Sequence, residues 1–349
     1  MPVASSRSTI VHGVQELRAS VSVGTAEAMD EVEALLLEVS TGAPDHLQTA
    51  VHEALSAGGK RLRPLLMVLC ARTTARDISL EEVVGGEDLS LLSPVSRAAA
   101  AVEVLHTATL VHDDIVDRAA SRRGVPTTVA RYGRESATAV GDYLFAESFR
   151  ALAGVGNARL VRVMSGAAEE LASGELKQFR AAGAMLDVDS YMDHIRMKTA
   201  GLFRAACVAG GTLGGLSLRQ VDALATYGQS LGVAFQMTDD VMDLVGKPGR
   251  MGKDVGSDIE EGTVTLPIIF ALQDGDREAI RAALLAENPE DEVLQAAIEA
   301  VRATDAIERT ETWAREEVES AVRCLQELPE TPERRVLEAI ASKVVGRDA

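Results

Sequence analysis

A chain of 349 residues, 46% of them apolar, can bury a large core, as one large domain or two medium ones. Its formal charge of −18 argues against a nucleic-acid binder, which needs basic surface to neutralise phosphates, and offers little attraction to anionic lipid. Cys70, Cys207 and Cys324 are odd in number and lack CxxC spacing, so neither a disulfide framework nor a zinc site is expected, and the reducing cytoplasm is the expected compartment.

Only 3% of the residues are aromatic, and an excess of Ala, Leu and Val beside Glu and Arg favours helices over sheets. Residues 1–25, rich in Ser, Val and Gly, read as a loose N-terminal extension; 26–349 read as a single all-helical domain. From Met29 apolar residues recur at three- and four-residue steps. This periodicity predicts helices over 26–40, 45–57, 62–74, 95–116, 135–153, 158–180, 189–213, 218–245, 264–273, 277–286, 291–302, 305–326 and 332–345, with no strands of period two. Gly58-Gly59, Gly85-Gly86, Gly154 to Asn157 and Gly246 to Gly262 punctuate the pattern. Gly210, Gly211, Gly214 and Gly215 fall in a helical stretch and predict close helix packing. No apolar run reaches transmembrane length, and the N-terminus has no signal-peptide core.

Within two predicted helices, Asp113-Asp114-Ile115-Val116-Asp117 and Asp239-Asp240-Val241-Met242-Asp243 repeat the pattern DDxxD about 125 residues apart. Residues i and i+4 share a helix face, so each run presents clustered carboxylates inside apolar sequence. Like charges so close raise one another's pKa, which calls for a cation, and hard divalent metals with phosphorylated substrates suit such oxygens. Matching cations stand at turns: Gly58-Gly59-Lys60-Arg61-Leu62-Arg63-Pro64, then Arg122-Arg123-Gly124, Lys198-Thr199 and Lys253. Glycines let backbone amides approach an anion, and guanidinium groups meet phosphate in a bidentate fashion.

These segments, together with Gly141-Asp142-Tyr143, Gly174-Glu175 with Gln178, Phe235-Gln236-Met237-Thr238 and Gly252-Lys253 with Gly256 and Asp258, resemble in order the motifs of the trans-isoprenyl diphosphate synthases, or polyprenyl synthetases, most of all their long-chain members. The resemblance spans residues 50 to 270. It implies an all-α bundle around a deep central cavity, the isoprenoid synthase type I fold, assembled as a homodimer. It also implies condensation of isopentenyl diphosphate with an allylic diphosphate (dimethylallyl, geranyl, farnesyl or geranylgeranyl). The cofactor implied is Mg²⁺, about three per site, with Mn²⁺ as a substitute. By the same resemblance Asp113, Asp117, Asp239 and Asp243 hold metal while Asp114 and Asp240 support them. Gly59, Lys60, Arg63, His106 and Arg123 bind the isopentenyl diphosphate; Arg122, Lys198 and Lys253 bind the allylic one. Thr199 and Gln236 stand beside the carbocation. One departure is Thr263, where the family's GKxTLP segment has Lys.

In this family the growing tail passes residues one turn before Asp113, here the small Ala108 and Thr109. Short-chain members place an aromatic ring there. The expected product is therefore a long-chain polyprenyl diphosphate for quinone side chains, with geranylgeranyl diphosphate as the alternative if Leu152 or Met164 blocks the tail deeper. A type I terpene cyclase would carry an NSE/DTE second motif, a non-catalytic partner subunit would lose aspartates or the arginine pair, and a di-iron bundle would need Glu-x-x-His pairs. None of these patterns fits the sequence.

Overall fold

The computed structural model describes residues 21–57, 59–74, 93–122, 124–181, 187–245, 255–274, 277–286 and 288–346, with 178–181 as backbone alone. In chain order the helices are α1 (Val23–Thr41), α2 (Asp45–Ser56), α3 (Leu62–Arg72), α4 (Pro94–Val116), α5 (Thr128–Tyr132), α6 (Arg134–Gly154), α7 (Ala158–Ala181), α8 (Val188–Ile195), α9 (Gly201–Leu213), α10 (Leu218–Val245), α11 (Ser257–Glu260), α12 (Leu266–Asp274), α13 (Arg277–Leu284), α14 (Asp291–Arg302), α15 (Ala306–Cys324) and α16 (Pro332–Val345). The fold is all-α.

Local chemistry sets the helix starts. Ser93 accepts a hydrogen bond from the Ser96 amide and Pro94 opens α4, so the long acidic helix begins with its first turn satisfied. Thr331 with Pro332 does the same for α16, and Asp187 caps α8 through the Ser190 amide.

Two apolar clusters form the interior. The larger gathers α1 to α4, α6, α7, α9 and α16; the smaller gathers α8, the end of α10 and α12 to α15. Helices α10 and α15 contribute to both: Tyr227 and Leu231 face the first, Met237 and Leu244 the second. The acidic part of α10 therefore lies on the stretch where that helix passes into the second cluster. Gly210 and Gly214 bring α9 against α3: a Cβ added at either would lie 2.3 Å from the carbonyl oxygens of Met67 or Ala71. This agrees with the packing expectation for Gly210 and Gly214, whereas Gly215 lies beyond the helix at φ 68° with nothing within 4 Å of its Cβ position.

Two expectations need correction. The helix expected over 189–213 is interrupted by a π turn, Arg196–Ala200, which absorbs one extra residue without ending the rod. Periodicity over 25 residues does not register so small a slip. A short antiparallel hairpin, β1 (Ser121–Arg122) with β2 (Val125–Pro126), follows the first acidic run, turning through Gly124 at φ 75°. Two-residue strands are too short for a period-two signal.

Candidate active site

The first acidic run ends α4. Asp114 turns inward, is 4% exposed, and its Oδ1 accepts a hydrogen bond from Arg122 Nε at 2.9 Å. The β1–β2 hairpin thus returns Arg122 to the helix it has just left. The remainder of the paired arginine motif, Arg123, lies outside the described residues. Asp113 is half-buried and Asp117, at the helix C-cap, is exposed. Burial, reinforced by the carboxylates of Glu175 and Asp117, pushes Asp113 up to about 7, against the pull of Lys198 and Arg122.

The π turn carries Lys198 and Thr199 to the place between the two runs. Lys198 Nζ lies 2.7 Å from Glu175 on α7, and Gly174 leaves room there, since its Cβ would come within 3.2 Å of the Lys198 amide nitrogen. Thr199 donates to Gln236 Oε1 at 2.8 Å, and Gln236 Nε2 donates to Asp240 Oδ1 at 2.8 Å. The Tyr191 hydroxyl donates to the other oxygen, Oδ2, at 2.5 Å. Lys198, whose charge acts on Asp113, and Thr199, which reaches Asp240 through Gln236, are neighbours in the π turn, so this turn adjoins both acidic runs. Asp240 is buried, and desolvation raises its pKa although both donors stabilise the ionised form. Beside Lys198, burial and then the ammonium charge lower His194 to about 4, so its imidazole is neutral.

Asp239 is exposed, the outer member of the second pair. Asp243 is committed differently: its Oδ1 accepts from the Ser257 amide and hydroxyl at 3.2 and 2.7 Å, and its Oδ2 from the Asp258 amide at 3.2 Å. It caps α11 and ties the returning chain to α10. Lys253, between them in sequence, lies outside the described residues. At the departing position, the Thr263 amide donates to the Asp258 carbonyl at 2.7 Å.

The isopentenyl candidates gather at the start of α3. Gly59 is exposed, Lys60 and Arg63 are half-buried, and Gly58 is outside the described residues. The Arg63 guanidinium lies 4.5 Å over the Phe203 ring, a cation–π contact that fixes it against α9. His106 is two turns before Asp113 on the same face of α4, and its carbonyl accepts from Thr109 Oγ1 at 2.8 Å. Of the two chain-length candidates, Thr109 shares that face. Ala108 is fully buried and shares the face of His112, which packs on Gly141 of α6. Leu152 and Met164 are likewise fully buried.

Tyr191 was not singled out from the sequence, and Glu175 only as part of a motif. A signal existed for Tyr191: it is one of four tyrosines, and a buried hydroxyl requires a partner. Its partner lies 49 positions away and cannot be read locally. Among the described residues no three acidic, imidazole or thiol groups lie close enough together to hold a metal ion by themselves. The exposed Asp117 and Asp239, with the half-buried Asp113, are carboxylates of the kind that suits a metal which keeps waters and takes other ligands from a phosphate. At Asp113 the repulsion from Glu175 and Asp117, which adds to burial in raising its pKa, is of the kind a cation would relieve. A separate cavity of about 450 Å³, lined by Asp187, Ile269 and Arg281 among others, contains none of these residues.

Residues 44–301 match the family model described as polyprenyl synthetase. The chain is 35% identical over 328 residues to octaprenyl diphosphate synthase of Escherichia coli, covering 93% of this chain and 97% of that one. A decaprenyl diphosphate synthase structure from Rhodobacter capsulatus is similar with a TM-score of 0.83 at 35% identity, covering 95% and 98% of the two chains. The polyprenyl synthase of Caulobacter crescentus, solved with calcium and isoprenyl diphosphate, gives 0.84 at 31% identity over 100% of both. With its acidic runs and cationic turn in this fold, the chain belongs to the polyprenyl synthetase family.

Proposed function

We propose that this protein is a Mg²⁺-dependent prenyltransferase that joins isopentenyl diphosphate head to tail with an allylic diphosphate, repeating the step to give a long-chain trans-polyprenyl diphosphate for quinone side chains. The π turn supports the reading: Lys198 acts on Asp113, and the next residue, Thr199, reaches Asp240 through Gln236, so both runs adjoin one element. Asp113, Asp117 and Asp239 would hold the metal, which supplies electrophilic stabilisation of the departing diphosphate. Asp243, occupied with α11, contributes by holding the end of α10 in place.

Lys198 and Arg122, with Lys253, bind the allylic diphosphate; Lys60, Arg63 and His106, with Arg123, bind the other. The allylic C–O bond breaks and diphosphate leaves with the electron pair. The Thr199 hydroxyl and the Gln236 amide, fixed to each other at 2.8 Å, turn dipoles rather than full charges toward the allylic cation. The isopentenyl double bond attacks that carbon, a C–C bond forms, and a proton passes to the released diphosphate.

Long product is supported by the small residues Ala108 and Thr109 and by relatives named for octaprenyl and decaprenyl products. We place the enzyme in the cytoplasm as a homodimer; no helix among the described residues is long and apolar enough to cross a membrane. Radiolabelled isopentenyl diphosphate with farnesyl diphosphate and Mg²⁺ should give an EDTA-sensitive polyprenyl diphosphate, sized by chromatography after dephosphorylation. No incorporation with any allylic primer would refute the reading.

A further inference from the structure

One charged side chain is unexplained by the chemistry above. Glu103 lies in the Ala- and Val-rich middle of α4, among Ala98 to Val102 and Val104, and is 4% exposed. A carboxylate is rarely buried so fully without a partner of opposite charge. Its partner is Arg61, whose NH1 donates to Glu103 Oε1 at 2.9 Å.

Arg61 sits between Lys60 and Arg63, at the point where the turn enters α3. Its backbone is left-handed, φ 48° and ψ 36°, a conformation that residues other than glycine adopt uncommonly and that contacts from the surroundings can hold in place. They do: besides Glu103, NH2 donates to the Leu55 carbonyl at 2.9 Å and Nε to Glu33 at 3.1 Å. The guanidinium is thus fastened to α4, α2 and α1 and is turned away from the role of its two cationic neighbours. Glu103 is also one turn before His106 on α4, so a single carboxylate ties together the helix of one isopentenyl candidate and the turn of two others.

We infer that Glu103 and Arg61 are positioning residues for isopentenyl diphosphate, holding the Lys60–Arg63 turn in register with His106. The inference rests on the proposed function. Removing the carboxylate releases the turn from α4, so the loss falls on the second substrate and spares the allylic one, whose described cations, Arg122 and Lys198, are on β1 and the π turn.

The test uses the full chain and two readouts, calorimetric binding of isopentenyl diphosphate without primer and steady-state kinetics with Mg²⁺ and farnesyl diphosphate. Glu103→Gln is expected to raise Kd and KM for isopentenyl diphosphate about tenfold, with KM for farnesyl diphosphate changed less than about twofold. Arg61→Gln should do the same, and the double variant should be no worse than either single one, as for two residues acting as a unit. Equal changes in both KM values, or a lowered melting temperature with both KM values intact, would mean a merely structural ion pair and overturn the inference. If Glu103→Gln does not fold, Glu33→Gln removes the exposed arm of the same clamp; a rise of about twofold to threefold for isopentenyl diphosphate alone supports the inference and no rise overturns it. Wild-type protein that binds no isopentenyl diphosphate would sink the proposed function itself, whereas normal wild-type binding with unaltered variants sinks only the positioning role.

Discussion

The two acidic runs share one pattern and divide its labour differently. In each, the first aspartate stays toward the open side while the second turns inward: Asp114 to Arg122, Asp240 to Tyr191 and Gln236. The partner is a full cation in the first run and two neutral donors in the second. The third position diverges further. Asp117 closes the exposed end of α4, whereas Asp243 is drawn into capping the short helix that follows. A motif thus fixes which residues are available, but the chain that returns afterwards decides what each one does. After the first run that chain is a hairpin bearing Arg122; after the second it is a helix start bearing amides.

The largest test of this contrast lies at its outer positions. Asp113→Asn should lower kcat by about a thousandfold or more, with the melting temperature of the metal-free protein unchanged or raised, because a charge leaves a repelling cluster. A loss of folding instead would place Asp113 in the framework. Next, Thr109→Phe should shorten the product more than Ala108→Phe, since only Thr109 shares the face of Asp113; chromatography of the dephosphorylated product reads this, and equal shortening would mean that α4 turns in solution. Asp113 also predicts a pH effect. With a folded-state pKa of about 7, metal binding must displace a proton below that value, so metal affinity should rise about tenfold per unit up to pH 7 and then level. The sign for stability is opposite: a carboxyl raised in the folded state favours the metal-free fold at low pH, and that contribution disappears as pH rises through about 7. Asp113→Asn should flatten both curves.

Smaller effects should separate the inward aspartates. Tyr191→Phe leaves the Asp240 ring of contacts with one donor fewer and should reduce kcat about tenfold while sparing KM for isopentenyl diphosphate. An unaltered kcat would reduce Tyr191 to packing. Smallest is Asp243→Asn against Asp117→Asn: the first weakens a cap and should lower the melting temperature by about 2 °C, the second should leave it in place.

Much of this arrangement was legible because helices write their faces into sequence at a fixed period. The α10 and α14 boundaries, 218–245 and 291–302, match the structure, and the glycines of α9 announced close packing. What escaped was non-periodic. The π turn changes the register by one residue, the hairpin spans two pairs, and Tyr191, Glu103 and Asp243 depend on partners brought by other elements. The third aspartate of DDxxD looks the same in either run until the chain has folded back.

The π turn joins α8 and α9 into one interrupted rod, and four of its side chains point to four separate tasks: Tyr191 to Asp240, Lys198 to Glu175, Thr199 to Gln236 and Phe203 to Arg63. Without the extra residue, everything beyond Arg196 would be rotated by about 100° relative to what precedes it. The rod acts as a common ruler: the candidate residues for both proposed diphosphate positions are measured from the same strip of backbone, so under that proposal the spacing of the two substrates is set by one element and not by agreement among several.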